Sequence, residues 1–199
     1  MYYSQSGQDK WVCDFFNYKK NGYFVEVGAY DGIQTSNTYY LEKELGWNGI
    51  CIEANLEIFQ ALKQNRQSNN INFAVSSNKG FCNFSGDKIN TFGHVVECDT
   101  LNSILYNNSC KQKIDYLSLD IEGMEYEALK SLDFNYWDIK LITVEHNLYC
   151  TNDIEKNKIY DLLSSKNFER VVEDVKCLDT NPIWFNKPYE DWYINRNIL

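Results

Sequence analysis

Proline and glycine are scarce in this 199-residue chain, with 2 and 10 copies. No Pro/Gly/Ser-rich stretch marks a linker, and a single domain over residues 1–199 is expected. Long apolar runs are missing too, since none approaches the roughly 20 residues of a membrane helix, so no membrane partner is expected. Positive charge is in deficit, 19 Lys and Arg against 28 Asp and Glu, for a net charge of −9. That balance argues against a nucleic-acid partner, and no segment gathers Lys or Arg with aromatics into a binding face. A neutral or cationic small substrate is easier to accommodate. The cysteines, at 13, 51, 82, 98, 110, 150 and 177, are scattered and contain no C-x-x-C pair. Zinc sites and disulfide frameworks need closer or paired spacing, so reduced thiols in the cytoplasm are expected. Residues Met1 to Gln5 lack the basic-then-apolar pattern of a secretion signal. On that reading the sequons at Asn83 and Asn107 carry no glycan. A homo-oligomer is left open.

What is present is a rhythm. Apolar runs rich in β-branched and aromatic residues recur at 23–27, 49–53, 71–75, 115–120, 139–145, 168–174 and 182–186. Segments with helical spacing lie between most of them: 36–45, 55–66, 123–132 and 154–166. Short strands alternating with helices predict an α/β fold built from βαβ units, with a mostly parallel sheet and helices on both faces. The last two strands follow each other with little helix between them, which predicts an antiparallel pair at the C-terminal edge. The stretch 78–99 breaks the rhythm and reads as a hairpin-containing excursion. Ahead of the first strand, residues 5–19 place Gln5, Gln8, Asp9, Val12 and Phe16 on one helical stripe, polar at its start and apolar at its end. Its polar start either points into a wet cavity or is an ordinary solvated helix start.

The most informative segment is Tyr23-Phe24-Val25-Glu26-Val27-Gly28-Ala29-Tyr30-Asp31-Gly32, an apolar run with an acid near its end that breaks into a glycine-punctuated turn. Strand, glycine turn and helix in that order form the context of a nucleotide site. Tyr30 and Ile33 stand where the dinucleotide fingerprint requires glycines. A bulky loop with an acid at each end suits a cationic, phosphate-free adenosine cofactor, and S-adenosylmethionine meets that description.

Ligands of open parallel sheets sit beyond the carboxyl ends of the strands. Here those ends present polar groups in series: Glu26 and Gly28, then Glu53, then Ala74-Val75-Ser76, then Asp120-Ile121-Glu122, then Glu145-His146. Glu53 either accepts the two hydroxyls of a ribose or opens the next helix as a solvated acid. Glu26 needs donors or a cation if buried, so structural and indirect cofactor roles both stand. Asp31 faces the methionine part or caps the turn. Asp120, Glu122 and His146 form the candidate catalytic group, with groups able to take a proton from a hydroxyl nucleophile. Asp120, Glu145 and His146 are the candidate ligands of a Mg²⁺ or Mn²⁺ ion that would orient the acceptor. Asp120 as a helix cap and His146 as a satisfied core group remain as alternatives.

Together, Ser4 to Asp9, Phe24 to Gly32, Ser36-Asn37-Thr38, Gly46 to Asn55, Ala74 to Ser76, Asp115 to Gly123 and Glu145-His146 resemble the FkbM-type methyltransferases, within the class I S-adenosylmethionine-dependent enzymes. The resemblance spans roughly residues 3–168 and rests on motif order. It implies a Rossmann-like class I methyltransferase fold, with a seven-stranded sheet and an antiparallel C-terminal edge strand. It also implies cofactor contacts from Glu26, Gly28, Ala29, Asp31, Gly32, Ser36, Glu53, Ala54, Ala74, Val75, Ser76 and Asp120, with Gln5 and Gln8 at the pocket and Asp9 beside them. Ala54-Asn55 replaces the Pro-Asn of many relatives, which leaves the ribose contact intact.

The implied reaction is O-methylation of a hydroxyl on a sugar, glycan or related small metabolite. Acceptor choice would then fall to residues 78–112, to the 146–153 loop and to Trp184, Tyr189, Trp192 and Tyr193. A catalytically silent methyltransferase-like binding module and an NAD-dependent oxidoreductase are the competing readings.

Overall fold

A computed structural model of the chain describes residues 2–85, 88–90, 93–148, 153–178 and 185–198. Its elements follow the alternation of apolar runs and helical segments. The central strands β1 (Tyr23–Val27), β2 (Asn48–Ile52), β8 (Lys113–Leu119) and β9 (Asp138–Glu145) are parallel neighbours. Strands covered on both faces read as continuous apolar runs, and β1 is buried at all five positions. The seven-stranded sheet has the order β10-β11-β9-β8-β1-β2-β3, with β3 at Asn69–Ile71, β10 at Phe168–Lys176 and β11 at Pro188–Asn195. Strand β11 runs antiparallel to both neighbours and lies between β9 and β10, so β10 closes that edge.

Alternate side chains of each strand enter opposite cores. Val25, Val27, Ile50, Leu117 and Ile142 pack with Leu105 of α4 (Leu101–Asn107), Leu129 of α5 (Glu125–Ser131) and Leu163 of α6 (Asp153–Ser165). Phe24, Cys51, Tyr116 and Leu141 pack on the other face with Val12 of α1 (Gln8–Phe15), Leu41 of α2 (Tyr39–Leu45) and Leu62 of α3 (Leu56–Asn65). Glu26 belongs by parity to this second face, and that decides its fate below.

Three elements depart from the sequence expectation. The run 71–75 splits, with β3 ending at Ile71 and β4 (Ala74–Val75) joining a second sheet of order β4-β7-β5-β6. That sheet contains β5 (Gly80–Ser85), β6 (Lys88–Asn90) and β7 (His94–Asp99), and it gives the 78–99 excursion its antiparallel form. Helix α4 was not anticipated, although Thr100 caps it by accepting from Ser103 N. The final strand is Pro188–Asn195 rather than 182–186, of which residues 182–184 lie outside the described residues. Two buried acids, Glu190 and Asp191, interrupt the apolar pattern of β11 and disguised it.

Candidate active site

The carboxyl ends of β1, β2, β4 and β8 surround a cavity of about 650 Å³. Backbone geometry fixes its floor. Val27 O accepts from Asp120 N at 3.1 Å, and Ile52 O accepts from Gly28 N at 3.0 Å, so three strand ends are laced together. Gly28 has φ +83°, and a Cβ there would lie 1.7 Å from the Asp120 carbonyl oxygen. Only glycine allows this approach of one strand end to the next. Tyr30, at φ 49°, turns the chain so that Gln34 and Thr35 also reach the lining.

Glu53 stands on the β2 side. Its Oε2 accepts from Tyr30 N at 3.0 Å and its Oε1 from Asn55 N at 2.7 Å. Burial raises its pKa against those hydrogen bonds, and the charge of Asp120 adds to the rise. Each oxygen keeps a further acceptor site, so the pair remains able to take two ligand hydroxyls. Asn55 next to it caps α3, accepting from Glu57 N and Ile58 N. Ala54, Ala74, Val75, Phe73, Phe84 and Ile89 form an apolar wall on that side.

Opposite, Asp120, Ile121, Glu122 and Met124 line the cavity. Glu122 has φ 58° and accepts from Asn147 Nδ2 at 3.3 Å. Carboxylate oxygens of Asp120, Glu122 and Glu145 lie within 4.8 Å of one another. Burial, then the charges of Asp120, Glu125 and Glu122, raises the Glu145 pKa well above the ordinary carboxylate range. Glu125 accepts from Ile121 N and Gly123 N and is pushed up mainly by burial.

Of the residues anticipated from sequence, Gln5, Gly28, Glu53, Ala54, Ala74, Val75, Asp120 and Glu122 line the cavity. Gln5 arrives because Ser4 bridges to Thr35, while Asp9 clamps the segment by accepting from Tyr3 N at 2.7 Å and Ser4 Oγ at 2.5 Å. Glu26, Ala29, Asp31, Gly32, Ser36, Ser76 and Gln8 are placed outside the lining. Glu26 faces the α1–α3 core, where it accepts from Ser36 Oγ, Asn37 N, Thr38 Oγ1 and Arg66 Nη1. Asp31 caps its own turn, accepting from Ile33 N and Gln34 N. Gln8 donates to Tyr189 Oη at 2.7 Å and Ser76 N donates to Asp99 O at 2.9 Å.

His146 is not brought to Asp120 and Glu145. Adjacent residues at a strand end point to opposite faces, and its Nε2 lies 3.3 Å from Asp191 Oδ1 and 3.8 Å from Asp174 Oδ1. Of the expected set Asp120, Glu145 and His146, the first two come together with Glu122 as a cluster of carboxylate oxygens, while His146 clusters with Asp174 and Asp191. Tyr189, Trp192 and Tyr193 are buried, Trp192 against Trp11 at 4.8 Å, and none lines the cavity. Trp184 and residues 149–152 lie outside the described residues. Arg66, Glu125, Glu190 and Asp191 escaped sequence reasoning. The one available signal was an acid inside an apolar run, which marks Glu190 and Asp191 as it marks Glu26.

Residues 87–170 match the methyltransferase FkbM domain. The match begins one residue before β6 and ends inside β10, so Asp120, Glu122, Glu145 and His146 fall within it and Gly28 and Glu53 outside. No curated protein matches the chain.

Solved structures resemble it over most of its length. A precorrin-6y C5,15-methyltransferase from Geobacter metallireducens has TM-score 0.54 and 11% identity, covering 94% of this chain and 86% of that one. An S-adenosylmethionine-dependent methyltransferase from Clostridium acetobutylicum has TM-score 0.54 and 9% identity, covering 96% and 90%. Fibrillarin from Aeropyrum pernix, in complex with natively bound S-adenosyl-L-methionine, has TM-score 0.52 and 11% identity, covering 89% and 68%. At these identities the likeness establishes the Rossmann-like methyltransferase fold, while the FkbM domain match supports methyltransferase activity. Among the described residues, no helix is long and apolar enough to cross a membrane.

Proposed function

We propose that the chain is an S-adenosylmethionine-dependent methyltransferase acting on a hydroxyl of a sugar, glycan or related small metabolite. The observation that carries this reading is the Glu53 carboxylate, fixed by Tyr30 N and Asn55 N at the rim of a cavity whose floor only Gly28 permits. A carboxylate so held is oriented to accept both hydroxyls of a ribose. The apolar wall of Ala54, Ala74, Val75 and Phe84 suits an adenine, and the cavity lies where open sheets bind nucleotides. The bound donor supplies an electrophilic methyl group on a sulfonium. The chain has to align an acceptor oxygen with it and receive that oxygen's proton. Asp120, which lines the cavity, is the group this reading assigns to receive the proton. His146 and Glu145 act through others, His146 by holding Asp191 on β11 and Glu145 by lying against Asp120.

Divalent-metal assistance enters as a second reading, favoured by the three carboxylates of Asp120, Glu122 and Glu145. Hard cations of the Mg²⁺ type prefer such oxygen ligands.

Calorimetric titration with S-adenosylhomocysteine tests the reading. Micromolar binding is expected, and absence of heat would sink it. Binding of S-adenosylmethionine without turnover over a panel of hydroxyl compounds would favour the silent binding module. Binding of NAD in its place would favour the oxidoreductase.

A further inference from the structure

The chain's buried acids divide into two groups. Away from the cavity, Glu26, Asp115 and Asp191 are met by cations of the chain, while Asp9 and Asp99 accept from N–H and O–H donors. Arg66 pairs with Glu26 at 3.1 Å and Glu42 at 2.9 Å. Lys19 and Lys140 pair with Asp115, and Arg170 pairs with Asp191 at 3.0 Å. At the carboxyl ends of β8 and β9 and the adjoining amino end of β11 no such cation is found among the described residues. Glu125, Glu145 and Glu190 are all buried, yet among the described residues none has an ion pair with Lys, Arg or His. Glu145 and Glu190 are directly opposed on neighbouring strands, where like charges repel. Glu145, 5% exposed, keeps Oε2 without a hydrogen-bond partner. The cavity beside it is lined by Glu53, Asp120 and Glu122, with no Lys, Arg or His among the described lining residues.

We infer that the acceptor carries an ammonium group, which docks on Asp120 and Glu122 where they line the cavity, with the buried Glu145 behind them; its chemical class is an amino alcohol or amino sugar. This rests on the methyltransferase reading and gives the acidic end to the acceptor in place of a metal ion. Sheet order supplies the direction. Glu53 and the apolar wall lie on the β2–β4 side, and the strands run β2-β1-β8-β9-β11 from there. A donor with its adenosine at Glu53 therefore leaves the β8–β9 flank, with Glu122 and Glu145, to the acceptor. An ammonium has three donors, and three carboxylate groups offer oxygens within 4.8 Å of one another. Mg²⁺ retains several waters in an octahedral shell, which the burial of Glu145 disfavours. A carboxylate or phosphate on the acceptor would meet only repulsion.

The test uses the full chain saturated with S-adenosylhomocysteine and three sugars of one skeleton: glucosamine, glucose and glucuronate, titrated at neutral pH. Glucosamine is expected to bind at least about tenfold tighter than glucose, the increment of one charge-assisted hydrogen bond, with glucuronate weakest. Glu145→Gln should reduce the preference for the amine to less than about twofold, while S-adenosylhomocysteine binds as before and so reports an intact fold. Glucosamine that binds no better than glucose, including no binding of either, would overturn the inference. So would Mg²⁺ binding to the chain without any sugar, if Glu145→Gln abolishes it. Failure of S-adenosylhomocysteine to bind would instead remove the methyltransferase reading beneath.

Discussion

A carboxylate in a protein interior needs N–H donors, a cation or a proton, and this chain uses all three at neighbouring strand ends. Glu53 takes the first solution, through the backbone N–H groups of Tyr30 and Asn55. That choice leaves it pointing at the cavity rather than consumed by a salt bridge. Hydrogen bonds to a charged acceptor contribute about 1.5–3 kcal/mol, so Glu53→Ala should weaken S-adenosylhomocysteine binding about 10- to 100-fold. Glu53→Gln, able to accept only through one oxygen, should fall between. Calorimetry decides, and undiminished affinity in the alanine variant would remove Glu53 from ribose recognition. Gly28 is the second residue whose identity geometry dictates. Gly28→Ala would drive a methyl into the Asp120 carbonyl, so S-adenosylhomocysteine binding should vanish and the thermal midpoint drop.

At the scale of elements, the turn between β1 and α2 contributes Gly28, Tyr30, Gln34 and Thr35 to the cavity and is held from beneath. Arg66, the residue that ends α3, donates to Glu26, Gly32 O, Ser36 Oγ and Thr38 Oγ1, and through Nε to Glu42. One guanidinium so fixes both ends of the loop that presents Tyr30, Gln34 and Thr35 to the cavity. Removing one partner of a buried pair costs about 3–5 kcal/mol because the other charge is stranded. Arg66→Met should therefore destabilise the fold by about that amount in denaturant unfolding, and adding Glu26→Gln should recover part of it. Additive losses would show that the two do not act as a pair.

This network also shows where sequence reading stops. The alternation of apolar runs and helical segments made the parallel sheet legible, and the Gly28 turn and Glu53 followed from strand-end logic. Which face a strand-end side chain takes depends on pleat parity. Glu26 and His146 therefore looked like site residues and were placed behind it. Arg66 comes from a helix terminus 40 positions from Glu26, a distance that no local pattern spans. Strand β11 was misplaced because buried acids imitate a loop.

For the molecule as a whole, acids buried without cations at one end of the sheet must show in how stability depends on pH. Burial pushes the pKa of Glu190 up to about 8 and raises those of Glu125 and Glu145 as well. In the unfolded chain these groups titrate near the ordinary 4.5. Between the two values the folded state holds protons that the unfolded state has lost, so stability falls as pH rises. Each such group contributes at most about 1.4 kcal/mol per pH unit.

Asp115, Asp191 and Glu42 have the opposite sign, since their cations hold their pKa values down, and their contribution disappears in acid. The two slopes meet in mildly acidic solution, where the thermal midpoint should be highest, and it should decline steadily toward pH 8. Glu190→Gln removes one alkaline slope while keeping an oxygen for the Trp192 indole N–H. It should raise the midpoint at pH 8 by more than at pH 5, and equal shifts at both would show that Glu190 is ionised throughout. A fold that keeps this slope has placed carboxyl groups where they oppose folding at neutral pH, and perturbed groups of this kind concentrate at functional sites. The same group should respond to a ligand. A cation docked beside Asp120 favours the ionised carboxylates, so the decline toward pH 8 should flatten when the acceptor amine is present in excess.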